Sequence, residues 1–177
     1  QDNLDMGRNI VQASHKTGLK KLINFGSSCM YPRNGENPLK EENILQGELE
    51  PTNEGYALAK IIVSKMCEYI TATNPGFQYK TLIPCNLYGR WDNFEPERSH
   101  VLPASIRKIH EAKQKKQNEV VIWGDGTARR EFLYCGDIAD FTAQAIDQFD
   151  QMPNLLNVGV GRDYTINEYY EAIGKVI

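Results

Sequence analysis

Tyr56 and Lys60 are the two residues whose types and spacing most directly suggest chemistry. They lie four positions apart in a stretch rich in Ala, Ile, Val and Met, which favours a helix with both side chains on one face. A nearby ammonium group favours the ionised form of a phenol and lowers its pKa from about 10. Such a phenol can donate or accept a proton beside a carbonyl group. The alternative is an ordinary surface pair, because this spacing alone is common on helices.

Ser27 and Cys29 add a hydroxyl and a thiol directly after a short apolar segment, Leu19 to Phe25. Helical and strand patterns alternate along the first part of the chain, which predicts an α/β fold with a parallel sheet. Ligands of such sheets bind at the carboxyl ends of the strands. The Ser27 hydroxyl could polarise a carbonyl there, and the Cys29 thiol could accept or return a proton. The alternative for Cys29 is a small buried side chain.

The other elements follow from apolar periodicity and from the positions of Gly and Pro. Helices are predicted over 3–17, 53–73, 101–116, 137–149 and after the capping-box spacing of Thr165 and Glu168. Strands are predicted over 19–25, 79–84, 120–123, 131–134 and 155–158. The pair Thr52-Asn53 is expected to cap the second helix through a side chain. Residues 30–52 are expected to form a long loop, of a length typical of functional loops.

Composition narrows the classes of protein. The chain has 177 residues, 41% of them hydrophobic, and a formal net charge of −3, which disfavours a nucleic-acid surface. No apolar stretch approaches membrane-spanning length, and the first residues do not resemble a signal peptide, so no membrane partner is expected. The four cysteines show no CxxC spacing, so neither a disulfide framework nor a metal site is predicted. We expect a reduced, cytoplasmic protein.

A set of short motifs then points to one family. The motifs are Gly26 to Pro32, Leu45-Gln46-Gly47 with Glu50 to Glu54, Asn86 to Gly89, Asp92-Asn93-Phe94, Ser99-His100-Val101, Trp123-Gly124 and Arg130 to Phe132. Together with Tyr56 and Lys60 they resemble the GDP-L-fucose synthases, which are extended short-chain dehydrogenase/reductases. The resemblance runs from about residue 3 to the last residue. It implies a doubly wound, Rossmann-type parallel sheet and NADPH-dependent 3,5-epimerisation and C4 reduction of GDP-4-keto-6-deoxy-D-mannose to GDP-L-fucose.

The resemblance also implies roles for individual residues. Tyr56 protonates the C4 oxygen, Lys60 supports Tyr56 and holds the nicotinamide ribose, and Ser27 binds the C4 carbonyl. Cys29 and His100 act as base and acid of epimerisation. The residues expected to contact NADP are Phe25, Gly26, Ser27, Ser28, Tyr56, Lys60, Pro84, Cys85, Asn86, Leu87 and His100. Those expected to contact the GDP-sugar are Asn86, Val101, Lys108, Trp123 and Arg130, where the neighbouring Arg129 would supply a second guanidinium for the diphosphate.

The resemblance further implies an organisation into two parts. Residues 1–90 would form the second half of an NADP-binding Rossmann domain with the catalytic residues, and 91–177 a GDP-sugar lobe with a returning Rossmann helix and strand. The family begins with a strand and a glycine-rich loop that binds the cofactor pyrophosphate. No segment here matches that loop, so the chain is expected to be part of a longer protein and inactive by itself. The family commonly forms homodimers through a bundle that includes the Tyr56 helix.

Three alternatives remain beside the epimerase-reductase. One is a GDP-4-keto-sugar reductase that acts at C4 without epimerising, for example on a 6-deoxy-heptose. Another is a non-catalytic fragment or binding module. A 4,6-dehydratase is disfavoured, because dehydratases usually carry an acidic residue where this chain has Cys29 and Met30.

Overall fold

Helices and strands alternate along the first part of the chain, as the apolar periodicity predicts. In the computed structural model, which describes residues 1–177, two compact units are present. The first unit comprises Gln1–Cys85 and Phe141–Val158, and the second comprises Asn86–Asp140 and Gly159–Ile177. The assignment of the two parts of the chain to NADP and to a GDP-sugar stays a prediction.

A three-stranded parallel sheet forms the centre of the first unit. Its order is β1 (Lys21–Phe25), β2 (Gln78–Pro84) and β6 (Leu155–Val158). Strand β2 is central and buried along almost all of its length, as expected for a parallel sheet covered on both faces. Because the strands are parallel, the carboxyl ends of β1 and β2 lie at the same edge of the sheet. The predicted α/β fold with a Rossmann-like parallel sheet is confirmed.

Helices α1 (Asp2–Lys16) and α2 (Glu54–Thr73) pack against each other in the first unit. They share an apolar core in which Val11, Val63, Cys67 and Tyr79 are almost completely buried. Helix α2 is the longest in the protein, with 20 residues. None of the helices combines the length and the apolar character needed to span a bilayer.

A second apolar cluster joins α2 to the segment that follows β1. It consists of Met30, Leu49, Ala57 and Ile61, with Cys29 and Ile44 packed against it. Two 3-10 turns interrupt this long loop, at Ser28–Met30 and Glu41–Asn43. The loop is therefore held on helix α2, which also carries Tyr56 and Lys60.

The second unit contains one pair of helices and two short strand pairs. Helices α3 (Val101–Gln114) and α5 (Ile166–Val176) contact each other. Helix α4 spans Cys135–Asp147, and its residues up to Asp140 belong to the second unit, whereas those from Phe141 belong to the first. The strand pairs are β3 (Asn86–Tyr88) with β5 (Phe132–Tyr134), which are parallel, and β4 (Arg129–Arg130) with β7 (Tyr164–Thr165), which are antiparallel. The predicted capping box of α5 is confirmed: Thr165 and Glu168 each bond to the other's backbone N–H.

Two predictions about local structure are wrong. Residues 120–123 form no strand, since no neighbouring strand pairs with them and Val121 and Trp123 are 81% and 88% exposed. A short apolar run does not show by itself whether a partner strand exists. Asn53 is the N-cap residue of α2, but its side chain makes no capping hydrogen bond; its Nδ2 donates instead to the sulfur of Cys29. The remaining boundaries differ from the predicted ones by a few residues, as helix and strand ends commonly do.

Candidate active site

The carboxyl end of β1 places a serine and a cysteine directly at the edge of the sheet. Gly26 continues the strand by donating its N–H to the Leu82 carbonyl oxygen at 2.8 Å. A Cβ atom at Gly26 would lie 2.9 Å from the sulfur of the buried Met30, so a larger residue here would require the Met30 side chain to shift. Ser27 is extended, and its Oγ accepts the Cys29 N–H at 3.3 Å. The hydroxyl of Ser27 and the thiol of Cys29 are thus fixed on one tight turn.

Lys60 connects helix α2 to this strand end. Its Nζ donates a hydrogen bond of 2.9 Å to the Phe25 carbonyl oxygen, the last carbonyl of β1. Partial burial lowers the pKa of Lys60 below its ordinary value. An ammonium group has three N–H donors, so two remain for other acceptors such as ribose hydroxyls.

Tyr56 lies one helical turn before Lys60, on the same face of α2. The Lys60 Nζ is 5.8 Å from the centroid of the Tyr56 ring. Tyr56 is 38% exposed, which makes its phenol accessible to a bound molecule. The Tyr56 ring and the Lys60 ammonium therefore lie near each other in the first unit, where Lys60 contacts the carboxyl end of β1, and the proton-transfer role of the pair stays a prediction.

Asn53 is a residue of this site that sequence reasoning assigned only to helix capping. Its Nδ2 donates to the sulfur of Cys29 at 3.4 Å. Its Oδ1 is buried and has no hydrogen-bond partner. Its position three residues before Tyr56 was visible in the sequence, but nothing in the sequence indicated the contact with Cys29.

The predicted NADP contacts are divided between the two units. Phe25, Gly26, Ser27, Ser28, Pro84 and Cys85 lie at the carboxyl ends of β1 and β2 in the first unit. Asn86 and Leu87 lie on β3 in the second unit, where the Asn86 amide donates to the Glu131 carbonyl oxygen at 3.0 Å. Hydroxyls and an ammonium group are the donors that a nucleotide ribose requires, so the residues of the first unit fit a dinucleotide in chemistry. No group of His, Cys, Asp and Glu side chains is placed to hold a metal ion.

The second unit contains the other predicted site residues. His100 is the N-cap residue of α3, without a side-chain capping bond, and Val101 begins that helix. Lys108 on α3 donates to the Val121 carbonyl oxygen at 3.3 Å, and its Nζ lies 5.5 Å from the centroid of the Trp123 ring. The structure therefore brings Lys108 and Trp123 together, with the indole 88% exposed.

Arg130 and its neighbour Arg129 differ in their partners. Arg129 is committed to Asp163, with contacts of 2.9 Å to the carboxylate and 2.8 Å to the carbonyl oxygen. The guanidinium of Arg130, on β4, donates only to the Arg129 carbonyl oxygen and forms no ion pair with a carboxylate. Of the two expected guanidinium groups, that of Arg129 is paired with Asp163, and that of Arg130 is not paired with a carboxylate.

The chain is 53% identical over 176 residues to a GDP-L-colitose synthase from Yersinia pseudotuberculosis and to a GDP-L-fucose synthase from Azorhizobium caulinodans. In both cases 99% of this chain is covered, but only 57% and 56% of the relative. The chain thus spans a little over half the length of these curated relatives.

Solved structures and a family profile agree with these relatives. A GDP-mannoheptose C4 reductase from Campylobacter jejuni, with NADP bound, has a TM-score of 0.87 and 33% identity, over 98% of this chain and 62% of that one. The profile of the NAD dependent epimerase/dehydratase family matches residues 1–159, which is most of the chain. The resemblance to GDP-L-fucose synthases is likewise confirmed by the curated relatives. This chain belongs to the NAD dependent epimerase/dehydratase family.

Proposed function

We propose that this chain carries the catalytic residues of an NADPH-dependent enzyme that epimerises a GDP-4-keto-6-deoxy-hexose at C3 and C5 and reduces it at C4, to give GDP-L-fucose. The observation that carries the proposal is the grouping of Ser27, Cys29 and Lys60 at the carboxyl end of β1, with Tyr56 exposed on the same helix as Lys60. The names of the relatives, a GDP-L-colitose synthase and a GDP-L-fucose synthase, support a GDP-sugar as the substrate class. The chain covers only part of those proteins, so the activity is that of the whole protein.

Epimerisation requires a base, an acid and donors for the C4 oxygen. A ketone at C4 acidifies the hydrogens on C3 and C5, and removal of one leaves an enolate with negative charge on that oxygen. The hydroxyls of Ser27 and Tyr56 are the donors for this charge, an interaction that typically contributes about 3–4 kcal/mol to transition-state stabilisation. Because the same donors also activate the ketone for reduction, one site can perform both steps.

Cys29 is the proposed base and His100 the proposed acid. The Cys29 thiolate takes a proton from C3 or C5 and becomes a thiol, and the acid returns a proton to the opposite face of the same carbon. The substrate gains and loses one proton in each inversion, so no oxidant is needed. The assignment of His100 stays a prediction from the family resemblance.

In the reduction, Tyr56 gives its proton to the C4 oxygen and Lys60 keeps the phenol and the ribose in place. NADPH, when bound, supplies the hydride to C4. Lys60 has two N–H donors free for the ribose hydroxyls after its bond to Phe25. We assign the remaining NADP contacts to Phe25, Gly26, Ser28, Pro84, Cys85, Asn86, Leu87 and His100.

The GDP-sugar contacts are assigned to the second unit. Trp123 offers an exposed aromatic face for stacking, and Lys108 and Arg130 offer cations for the diphosphate. Asn86 and Val101 complete the assigned set. The four free thiols suit a reducing compartment, so we also propose a cytoplasmic location.

A second candidate is a GDP-4-keto-sugar reductase that acts at C4 without epimerising. It is favoured by the likeness to the GDP-mannoheptose C4 reductase, whose name describes that single step. In this case Cys29 would be present but unused.

Solvent deuterium separates the candidates. The intact protein is incubated in D2O with GDP-4-keto-6-deoxy-mannose and NADPH, and the product is examined by mass spectrometry and NMR. Deuterium at C3 and C5 together with NADPH oxidation is expected for the epimerase-reductase. NADPH oxidation without deuterium would support the reductase. A protein that neither binds NADPH nor oxidises it would be a non-catalytic binding module, and the proposal would be wrong.

A further inference from the structure

Asn53 is fixed at the first turn of α2, three residues before Tyr56. Its backbone N–H donates to the Glu50 carbonyl oxygen at 3.1 Å, and its own carbonyl oxygen accepts the Ala57 N–H at 3.0 Å. Ala57 is completely buried. The backbone of Asn53 is therefore held on both sides, so the position of its amide is set by the helix.

The Asn53 side chain does not make the capping hydrogen bond that an N-cap asparagine ordinarily makes. Asparagine is favoured at this position because its Oδ1 accepts a backbone N–H from the first helical turn. Here no such bond forms, and Oδ1 is buried without a partner. A buried acceptor without a donor is unfavourable and uncommon in folded proteins. This arrangement indicates that the amide is placed for something other than helix stability.

The one contact that the Asn53 amide makes is with the sulfur of Cys29, to which Nδ2 donates at 3.4 Å. A donor aimed at sulfur stabilises it most when it is negatively charged, because hydrogen bonds to ionised groups are the stronger ones. The thiolate is the form of cysteine that acts as a base or nucleophile. A half-turn about χ2 exchanges Nδ2 and Oδ1, so the same amide can accept from the S–H of the neutral thiol.

From this geometry we infer that Asn53 is a positioning residue that holds the Cys29 sulfur and stabilises its thiolate for proton abstraction next to the C4 ketone. This inference rests on the proposed epimerase function. It places a residue for epimerisation on the same helix as the two residues for reduction, Tyr56 and Lys60. Asn53 is assigned to the first step, since its amide donates a hydrogen bond to Cys29 and forms none with the side chains of Tyr56 and Lys60.

The test measures the reactivity of Cys29 in the intact protein with iodoacetamide at neutral pH, by mass spectrometry of the modified peptides. Asn53→Ala removes the amide without adding charge, and Asn53→Asp removes the N–H donors while keeping the shape. Both are expected to slow alkylation of Cys29 about tenfold. Cys135 is exposed and serves as an internal standard whose rate should not change. The matched control is Asn74→Ala, at the other end of α2, where the amide donates to the Ile70 carbonyl oxygen.

A second readout divides the two steps of the reaction. Deuterium incorporation at C3 and C5 is expected to fall about tenfold or more in Asn53→Ala, while NADPH oxidation on the same ketone changes less. Unchanged alkylation of Cys29 in Asn53→Ala would overturn the inference, as would an equal loss of exchange and reduction. If the native protein incorporates no deuterium, the epimerase proposal fails, whereas alkylation still decides whether Asn53 activates Cys29.

Discussion

The charge of Lys60 lowers the stability of the folded protein but is needed for its proposed role in the reaction. Burial disfavours its charged form, so its pKa in the folded protein lies below the value in the unfolded chain. The free energy of unfolding is therefore highest, as far as Lys60 is concerned, above the pKa that Lys60 has in the unfolded chain. It decreases as the pH falls through the pKa that Lys60 has in the folded protein. At neutral pH the partly buried charge lowers stability, and the proposed role in proton transfer gives a reason for keeping it.

We therefore expect Lys60→Met to separate activity from stability. Activity should fall at least about a hundredfold, because the phenol of Tyr56 loses its cation and the ribose loses its donors. The melting temperature should stay equal or rise, since Phe25 is 41% exposed, so that water can replace Lys60 as its partner, and no charge is partly buried in the variant. Calorimetry and NADPH oxidation measure the two effects. A large drop in melting temperature would show that Lys60 is mainly structural.

Cys29 permits a second prediction at the residue scale. Cys29→Ser keeps a small polar side chain that can still face Asn53, but a serine hydroxyl is a far weaker acid than a thiol. Deuterium incorporation at C3 and C5 should therefore disappear, while NADPH oxidation on the unepimerised ketone continues within about tenfold of the native rate. Exchange that persists in Cys29→Ser would mean that another group is the base.

Helices α1 and α2 approach each other closely at Gly7, which has no side chain. A Cβ atom at Gly7 would lie 2.6 Å from Cγ2 of Val63, which is 3% exposed and, being β-branched, cannot easily turn away. A helical glycine is usually less stable than alanine by about 1 kcal/mol. At Gly7 the close approach outweighs that preference.

Gly7→Ala should consequently destabilise the protein by about 1–3 kcal/mol, as overpacked cores do. Gly174→Ala in α5 is the matched control, because a Cβ atom there meets nothing within 4 Å, and it should stabilise by up to about 1 kcal/mol. Urea unfolding of both variants measures the difference. Equal effects at the two positions would contradict this account of the α1–α2 contact.

The long loop after β1 is tied to strand β6 through Tyr31 and Asn157. The Tyr31 hydroxyl donates to Asn157 Oδ1 at 2.5 Å, and the Asn157 backbone N–H donates to Glu41 at 2.7 Å. Burial, with the nearby Glu41 and Glu42 carboxylates, raises the pKa of Tyr31 to about 12. These contacts keep the loop on the sheet, next to the turn that carries Ser27 and Cys29.

The free energy of unfolding, measured as a function of alkaline pH, tests the contribution of the Tyr31–Asn157 hydrogen bond. The folded pKa of Tyr31 exceeds the unfolded value of about 10, so its contribution is full below pH 10 and is lost as pH rises toward about 12. The native protein should lose about 1–3 kcal/mol of unfolding free energy to this group over that range. Tyr31→Phe should be less stable at neutral pH but lose less on the alkaline side. Parallel slopes in the two proteins would contradict the assignment.

The sequence predicted the elements better than their contacts. The parallel strands, the shared face of Tyr56 and Lys60, and the Thr165–Glu168 cap follow from local patterns of residues. The bond from Asn53 to Cys29 does not, because it joins positions 24 apart whose proximity depends on the packing of α2 on the turn after β1. The predicted strand at 120–123 is wrong for the same reason: a strand needs a neighbouring strand to pair with, and the local sequence does not show that Val121 and Trp123 are exposed instead.

Helices α1 and α2 of the first unit expose several large apolar side chains. These include Met6 and Ile10, one turn apart on α1, and Leu58, Ile62 and Tyr69 on α2, each at least 42% exposed. Several large apolar side chains exposed on two helices that pack together are typical of a surface that another protein covers. We propose that this surface pairs with the same surface of a second copy, as a homodimer.

Sedimentation of the intact protein measures that association. The native protein should sediment as a dimer, and Ile10→Asp with Ile62→Asp should convert it to a folded monomer, because both side chains are exposed in the single chain. Val176→Asp on α5, at an 87% exposed apolar residue, is the control and should leave the dimer intact. A native protein that is monomeric at all concentrations would remove the proposal.

NADPH oxidation by the intact protein on GDP-4-keto-6-deoxy-mannose, compared between the native protein and Tyr56→Phe, measures whether the phenol near Lys60 protonates the sugar ketone. The substitution removes one oxygen from a residue that is 38% exposed, so folding should not change. We predict oxidation by the native protein and a loss of about 100- to 10,000-fold in Tyr56→Phe, the usual contribution of a general acid. Equal rates in the two proteins would show that the phenol beside Lys60 does not protonate the sugar ketone.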